Sequence, residues 1–250
     1  MAKTAADENF PVGSWLIPAP LRRHVRAFYA FAREADDIAD DPDLSGEEKL
    51  LRLDAMEGLL DGLSPALSPV LRPHARTLLS AFRQDARQDR MTDWGTLMDY
   101  CRRSAAPVGR MLLDLHGEEP ALYPASDALC AALQVINHLQ DCGDDYRRLA
   151  RVYLPLDWMA AADIADLGAV RSSRALRMVL DQVIAHTWPL LEQAEELTNI
   201  RHRRLRLEAG IILALARRLL KRLEVCDPLA GPVKLSPFAK LAAVAGGLAG

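Results

Sequence analysis

Cysteine is scarce in this sequence, and none of it has redox or metal-clip spacing: Cys101, Cys130, Cys142 and Cys226 form no C-x-x-C pair. No apolar N-terminal run resembles a secretion signal, so reduced thiols in a cytoplasmic setting are expected. Long hydrophobic runs are missing too. Leu241 to Gly250 is apolar but only ten residues long, half of the ~20 needed to span a bilayer. Such a tail suits contact with a membrane surface rather than a crossing. Charge of one sign is equally short. A net charge of −3 over 250 residues, with a quarter of them charged and half hydrophobic, speaks against disorder and against a basic nucleic-acid surface. Alternating runs of Val, Ile and Thr are absent, which removes sheet-based classes. No Gly-rich phosphate loop, H-E-x-x-H or G-x-S-x-G occurs, so P-loop, zincin and hydrolase-elbow chemistry lack support.

What is present is apolar residues recurring every three or four positions, and the class is therefore all-α. Residues 1–250 read as one domain. Helices are predicted over Pro20 to Asp40, Gly46 to Leu60, Pro69 to Arg90, Trp94 to His116, Ser126 to Leu149, Arg171 to Leu197 and Arg203 to Leu223. Turn signals fall between them, at Asp41-Pro42-Asp43, Ser64-Pro65, Gly117 to Pro120 and Gly231-Pro232. The basic run Arg201, Arg203, Arg204 and Arg206 reads as a solvated helix start.

At 100° per residue, Pro20 to Asp41 gathers Leu21, Val25, Phe28, Phe31, Ala35 and Ala39 into one apolar arc. Asp36 falls just inside its edge, with Asp40 and Arg33 beside it. An inward carboxylate is costly unless it is paired or binds a metal. Asp36 can pair with Arg33, one turn away. Asp36-Asp37-Ile38-Ala39-Asp40 also satisfies D-D-x-x-D, whose carboxylates one turn apart hold hard cations such as Mg²⁺.

A second acidic set lies on the Ser126 to Leu149 helix. Gln134, Asn137, Asp141 and Asp145 form a polar stripe opposite Ala132, Val135, Ile136 and Leu139, with no Lys or Arg within it. Solvated faces usually mix signs, whereas aligned oxygen donors without a cation repel unless a metal sits among them. His138 lies near the stripe but has no second His at ligand spacing, so zinc is not indicated. Two acidic helices suit the departure of a diphosphate: Mg²⁺ neutralises the leaving group while an apolar cavity shelters the carbocation.

These residues resemble the squalene/phytoene synthase family from about Asn9 to Pro155, and more weakly to Lys240. Ala27-Phe28-Tyr29-Ala30-Phe31-Ala32-Arg33 followed by Asp36-Asp37-Ile38-Ala39-Asp40 resembles its first aspartate motif. Tyr100-Cys101-Arg102-Arg103-Ser104-Ala105-Ala106-Pro107-Val108-Gly109 is similar to its Y-C-x-x-V-A-G-x-V-G segment. Asn137-His138-Leu139-Gln140-Asp141-Cys142-Gly143-Asp144-Asp145, with Arg151-Val152-Tyr153-Leu154-Pro155, resembles N-x-x-R-D-x-x-E-D and the R-x-Y-L-P after it. The resemblance implies an isoprenoid-synthase fold of helices around a central apolar cavity. By position it assigns metal to Asp36, Asp40, Asn137, Asp141 and Asp145, diphosphate contact to Arg33, and the lining of the reacting centre to Tyr100 and Tyr153.

Where members that condense two prenyl diphosphates carry Ser-Phe, Arg and Glu, this chain has Asn9-Phe10, Gln140 and Asp144. Losing the arginine removes a cation for a second diphosphate. The segment Glu8 to Ser14 and the stretch from Asn137 to Tyr146 look most like the hydroxysqualene synthase branch of bacterial hopanoid biosynthesis. That branch ionises presqualene diphosphate and lets water capture the cation, with substrate handed over by a presqualene diphosphate synthase. The resemblance implies Mg²⁺ as cofactor and no nicotinamide. Asn9, Phe10, Gln134 and Gln140 are the expected substrate-side residues, and Asn9, Gln134, His138 and Gln140 are all candidates to hold the water. Alternatives are a head-to-head synthase acting on two farnesyl diphosphates and a non-catalytic prenyl-lipid binding protein.

Overall fold

The computed structural model describes residues 16–61, 69–87 and 90–236, and no strand occurs among them. Eight α-helices are described: α1 (Ala19–Asp40), α2 (Gly46–Asp61), α3 (Arg72–Arg87), α4 (Trp94–Ser104), α5 (Ala106–His116), α6 (Tyr123–Leu149), α7 (Arg174–Gln193) and α8 (Arg203–Val225). Short 3₁₀ turns cover Pro120–Leu122, Trp158–Ala161, Ile164–Gly168 and Ala194–Asn199. The expected all-α class is what forms.

Local chemistry sets the helix ends. α1 carries Pro20 in its first turn, where a missing N–H costs nothing, and stops at Asp41, which Pro42 drives to extended backbone (ψ 115°). α2 opens with a capping box: Ser45 Oγ accepts the Glu48 N–H at 3.3 Å, and Glu48 Oε2 accepts the Ser45 N–H at 2.9 Å. Asp93 caps α4 by accepting the Thr96 N–H at 2.8 Å.

Two expected helices come out differently. The stretch Trp94 to His116 is two helices, because Pro107 cannot donate to the carbonyl one turn earlier and sits at the start of α5, where that donor is not needed. The predicted Arg171 to Leu197 helix begins at Arg174, since Ser173 accepts the Leu176 N–H at 3.1 Å as its cap, and it tightens into a 3₁₀ turn after Gln193.

The 27-residue α6 is central and packs against α4, α5, α7 and α8. Its Ile136 and Leu139 are fully buried, each contributing roughly 1.5–3 kcal/mol. The α5–α6 approach depends on Gly109, where a Cβ would lie 2.3 Å from Ser126 Oγ and 2.7 Å from Cys130 Sγ. A second apolar cluster joins α1, α2 and α3 around Phe28, Leu53, Leu71 and Leu79. Among the described residues no helix is long and apolar enough to cross a membrane. The apolar tail Leu241 to Gly250, and Lys240 before it, lie outside the described residues.

Candidate active site

The acidic end of α1 meets the chain leaving α6. Asp36 and Asp40 stand one turn apart beside the fully buried Ala35 and Ala39. Arg33 forks between two carboxylates, Nη1 to Asp36 Oδ2 at 2.9 Å and Nη2 to Asp37 Oδ1 at 3.0 Å. Although 38% of the Asp36 side chain is exposed, burial by its surroundings, followed by the Asp40 charge, pushes its pKa up to about 6 against the opposing pull of Arg33 and Arg151. A carboxyl so placed gains from any added positive charge.

Arg151 makes the junction. Ala150 ends α6 in the left-handed region, φ 54°, a conformation costing a non-glycine residue about 1–2 kcal/mol. Just beyond it, Arg151 places Nη1 2.5 Å from Asp40 Oδ1 and Nη2 2.9 Å from the Ala39 carbonyl, while its own N–H donates to the Asp145 carbonyl at 3.2 Å. Arg151 thus ties the two aspartate segments together, its guanidinium on Asp40 and its backbone N–H on the Asp145 carbonyl.

Behind that junction lies a polar cluster centred on Asp85 of α3. Its Oδ2 accepts from the Tyr100 hydroxyl at 2.8 Å and its Oδ1 from the Tyr153 hydroxyl at 2.9 Å. Asp85 is 6% exposed. Burial pushes its pKa up to about 6, although Arg151 and the two phenols pull the other way. The tyrosine rings sit 5.4 Å apart, and the buried His138 ring stacks on Tyr153 at 3.8 Å and 18°. Burial, with Arg151 adding to it, lowers the His138 pKa to about 3, so its ring is neutral at physiological pH. Gln134 Nε2 lies 3.2 Å from His138 Nε2.

Gln134 also faces a cavity of about 290 Å³ between α5, α6 and α8. The wall is mainly aliphatic, with Val25, Leu129, Leu133 and Ile212 among its members, and Gln134, Asn137 and the buried Glu208 are polar points on it. The polar stripe of α6 thus starts at the cavity wall, with Gln134 and Asn137, and ends at Asp145, whose backbone carbonyl accepts from Arg151. The Asp145 charge reaches Tyr153.

Of the residues expected from sequence, Arg33, Asp36 and Asp40 lie in one corner, Tyr100 and Tyr153 share Asp85, and Gln134 and Asn137 line the cavity. Gln140 projects elsewhere on α6 and donates to the Val233 carbonyl, tying down the chain after α8. Asn9 and Phe10 are outside the described residues. Asp85 went unnoticed in the sequence, yet a signal exists: it continues the Leu78, Ala81 face of α3, a lone acid on a buried stripe. Arg151 was part of a motif without a role.

Among the described residues no three His, Cys, Asp or Glu side chains are close enough together to form a metal cage. The donors present are hard oxygens in two separate sets, a chemistry that fits Mg²⁺, which keeps open positions and shares them with phosphate oxygens.

The all-α bundle has the isoprenoid-synthase fold. The squalene/phytoene synthase family model matches residues 3–238, and the chain belongs to that family. It is 45% identical to a hydroxysqualene synthase of Rhodopseudomonas palustris, over 94% of this chain and 86% of that one. Against the hydroxysqualene synthase of Zymomonas mobilis the identity is 44%, over 89% and 81%. The crystal structure of squalene synthase HpnC from Alicyclobacillus acidocaldarius superposes with a TM-score of 0.69 at 30% identity, covering 87% of this chain and 91% of that one. A dehydrosqualene synthase structure superposes at 0.82 with 23% identity, covering 96% and 90%, and bears on the fold alone.

Proposed function

We propose that this chain is a hydroxysqualene synthase, a carbon–oxygen lyase that converts presqualene diphosphate and water to hydroxysqualene and diphosphate in squalene and hopanoid biosynthesis. The observation that carries the reading is the 44–45% identity to three relatives of that name, over at least four-fifths of each. Residues 1–250 act in it as one catalytic domain, a view supported by the family match over residues 3–238.

Asp36, Asp40, Asn137, Asp141 and Asp145 would hold Mg²⁺, which when bound neutralises the diphosphate as a leaving group. Arg33 offers a planar fork to two phosphate oxygens. Tyr100 and Tyr153 line the reacting centre, and the aliphatic cavity wall keeps bulk water from the cation. Gln134 is a polar point on that wall from which one water can be presented; His138 and Asn9 are the other candidates, while the Gln140 amide is engaged by the Val233 carbonyl. Substrate comes from a presqualene diphosphate synthase, and the setting is the cytoplasm with peripheral inner-membrane contact.

Incubation with presqualene diphosphate in ¹⁸O-water, without NADPH, should yield labelled alcohol and free diphosphate. The structural likeness to a squalene synthase at 30% identity favours a second reading, head-to-head synthesis. Product from farnesyl diphosphate alone, or squalene formed only with NADPH, would establish that reading instead. Loss of diphosphate release on chelation, restored by Mg²⁺, separates both from a prenyl-lipid carrier.

A further inference from the structure

A buried carboxylate that holds two phenols together is an expensive way to pack helices. Removing a charge from water costs several kcal/mol unless good partners compensate, and a leucine between two phenylalanines would fill the same space. At Asp85 both oxygens are used, one for each tyrosine. A phenol has one proton. With that proton committed to Asp85, each oxygen can offer only lone pairs to anything else, and each ring is held in one orientation.

The arrangement extends to the cavity wall in a continuous line. Tyr153 is stacked on His138, His138 is in hydrogen-bond range of Gln134, and Gln134 lines the cavity. Arg151, whose charge also acts on Asp85, joins the same group to Asp40.

We propose that Asp85 is a positioning residue, which commits the hydroxyl protons of Tyr100 and Tyr153 so that their lone pairs and ring faces, not O–H donors, meet the reacting prenyl cation. The proposal rests on the reading that these tyrosines line the reacting centre. Electron-rich oxygen and π faces stabilise a developing cation, whereas an O–H dipole pointed at it opposes ionisation. The group acts from α3, with no contact to substrate required of it.

Asp85→Asn is nearly isosteric, but its amide accepts from one phenol and donates to the other, so one hydroxyl must turn round. Turnover is expected to fall on the order of 10–100-fold, the scale of a misplaced reacting group, with substrate KM within about threefold and an unchanged circular dichroism spectrum. Combining it with Tyr153→Phe should cost less than the product of the separate losses, since both act through one contact. Ultraviolet resonance Raman of the substrate-free protein provides a readout independent of activity. The tyrosine doublet should shift from donor to acceptor character in Asp85→Asn, with Tyr100→Phe and Tyr153→Phe identifying the bands.

If Asp85→Asn fails to fold, Asp85→Leu with Tyr100→Phe and Tyr153→Phe removes every partner at once and should match the turnover of the double phenylalanine variant. Full turnover in Asp85→Asn, strictly multiplicative losses, or a triple variant well below the double overturns the proposal. A wild-type enzyme inert toward presqualene diphosphate overturns the functional reading instead, and the same comparisons are then made with farnesyl diphosphate.

Discussion

Asp36 shows how one residue serves two demands that a sequence reading sets against each other. It is ion-paired with Arg33 at 2.9 Å, as the spacing of one turn allows, and it also keeps an exposed edge beside Asp40. Burial first, and the Asp40 charge second, raise its pKa to about 6, so a cation brought beside Asp36 would favour its ionised form. Asp36→Asn and Asp141→Asn are each expected to lower turnover at least ~100-fold, because each would remove a charge from one side of the proposed metal site. Their melting temperatures should stay within a few degrees of wild type; retention of most activity in either would remove the two-cluster mechanism. Arg33→Lys should raise KM for the diphosphate about tenfold, since an ammonium cannot reproduce the two-pronged contact. Unchanged kinetics would leave Arg33 as no more than a partner of Asp36 and Asp37.

Helix junctions are where element-scale energetics can be tested. Glu118, just after α5, is almost fully buried and accepts the N–H groups of Arg201 at 3.0 Å and His202 at 2.8 Å, clamping the chain where it enters α8. Burial raises its carboxyl, but the two N–H donors and the Arg201 charge outweigh burial and hold the pKa below the usual glutamate range. A depressed carboxyl adds stability above its unfolded pKa and loses it as pH falls through the folded value. Glu118→Gln should therefore cost about 1–3 kcal/mol near neutrality, and the gap between variant and wild type should close below pH 4.5. Urea denaturation across pH measures this, and a gap that does not vary with pH would refute it. At the α5–α6 contact, Gly109→Ala places a Cβ against Ser126 and Cys130. A cost of about 1–3 kcal/mol in thermal melts is expected from overpacking, and none if the two helices can part freely.

Across the whole molecule, the two aspartate segments are far apart in sequence and are joined at one end by Arg151, 111 residues from Asp40. The oily substrate, with Lys234 and Lys240 shortly before an apolar tail, leads to an expectation of reversible binding to anionic membranes. Cosedimentation with anionic vesicles that weakens at high salt would agree; full recovery in the supernatant would not. The helices and the acidic stripes of α1 and α6 were legible in the sequence because each depends on neighbours within four residues, where helical geometry dictates which side chains share a face. The break at Pro107 was legible in principle and overridden by a periodicity that continues through it. Contacts between distant helices leave no such local trace: Asp85 meets Tyr100 and Tyr153 across 15 and 68 residues. Sequence alone thus determined the class, the family and the residue types available for holding metal and diphosphate. Only the docking of α1, α3 and α4 against the segment that follows α6 decided that a buried carboxylate faces two phenols and that the Arg151 guanidinium pairs with Asp40, because burial and long-range pairing follow from how whole helices dock.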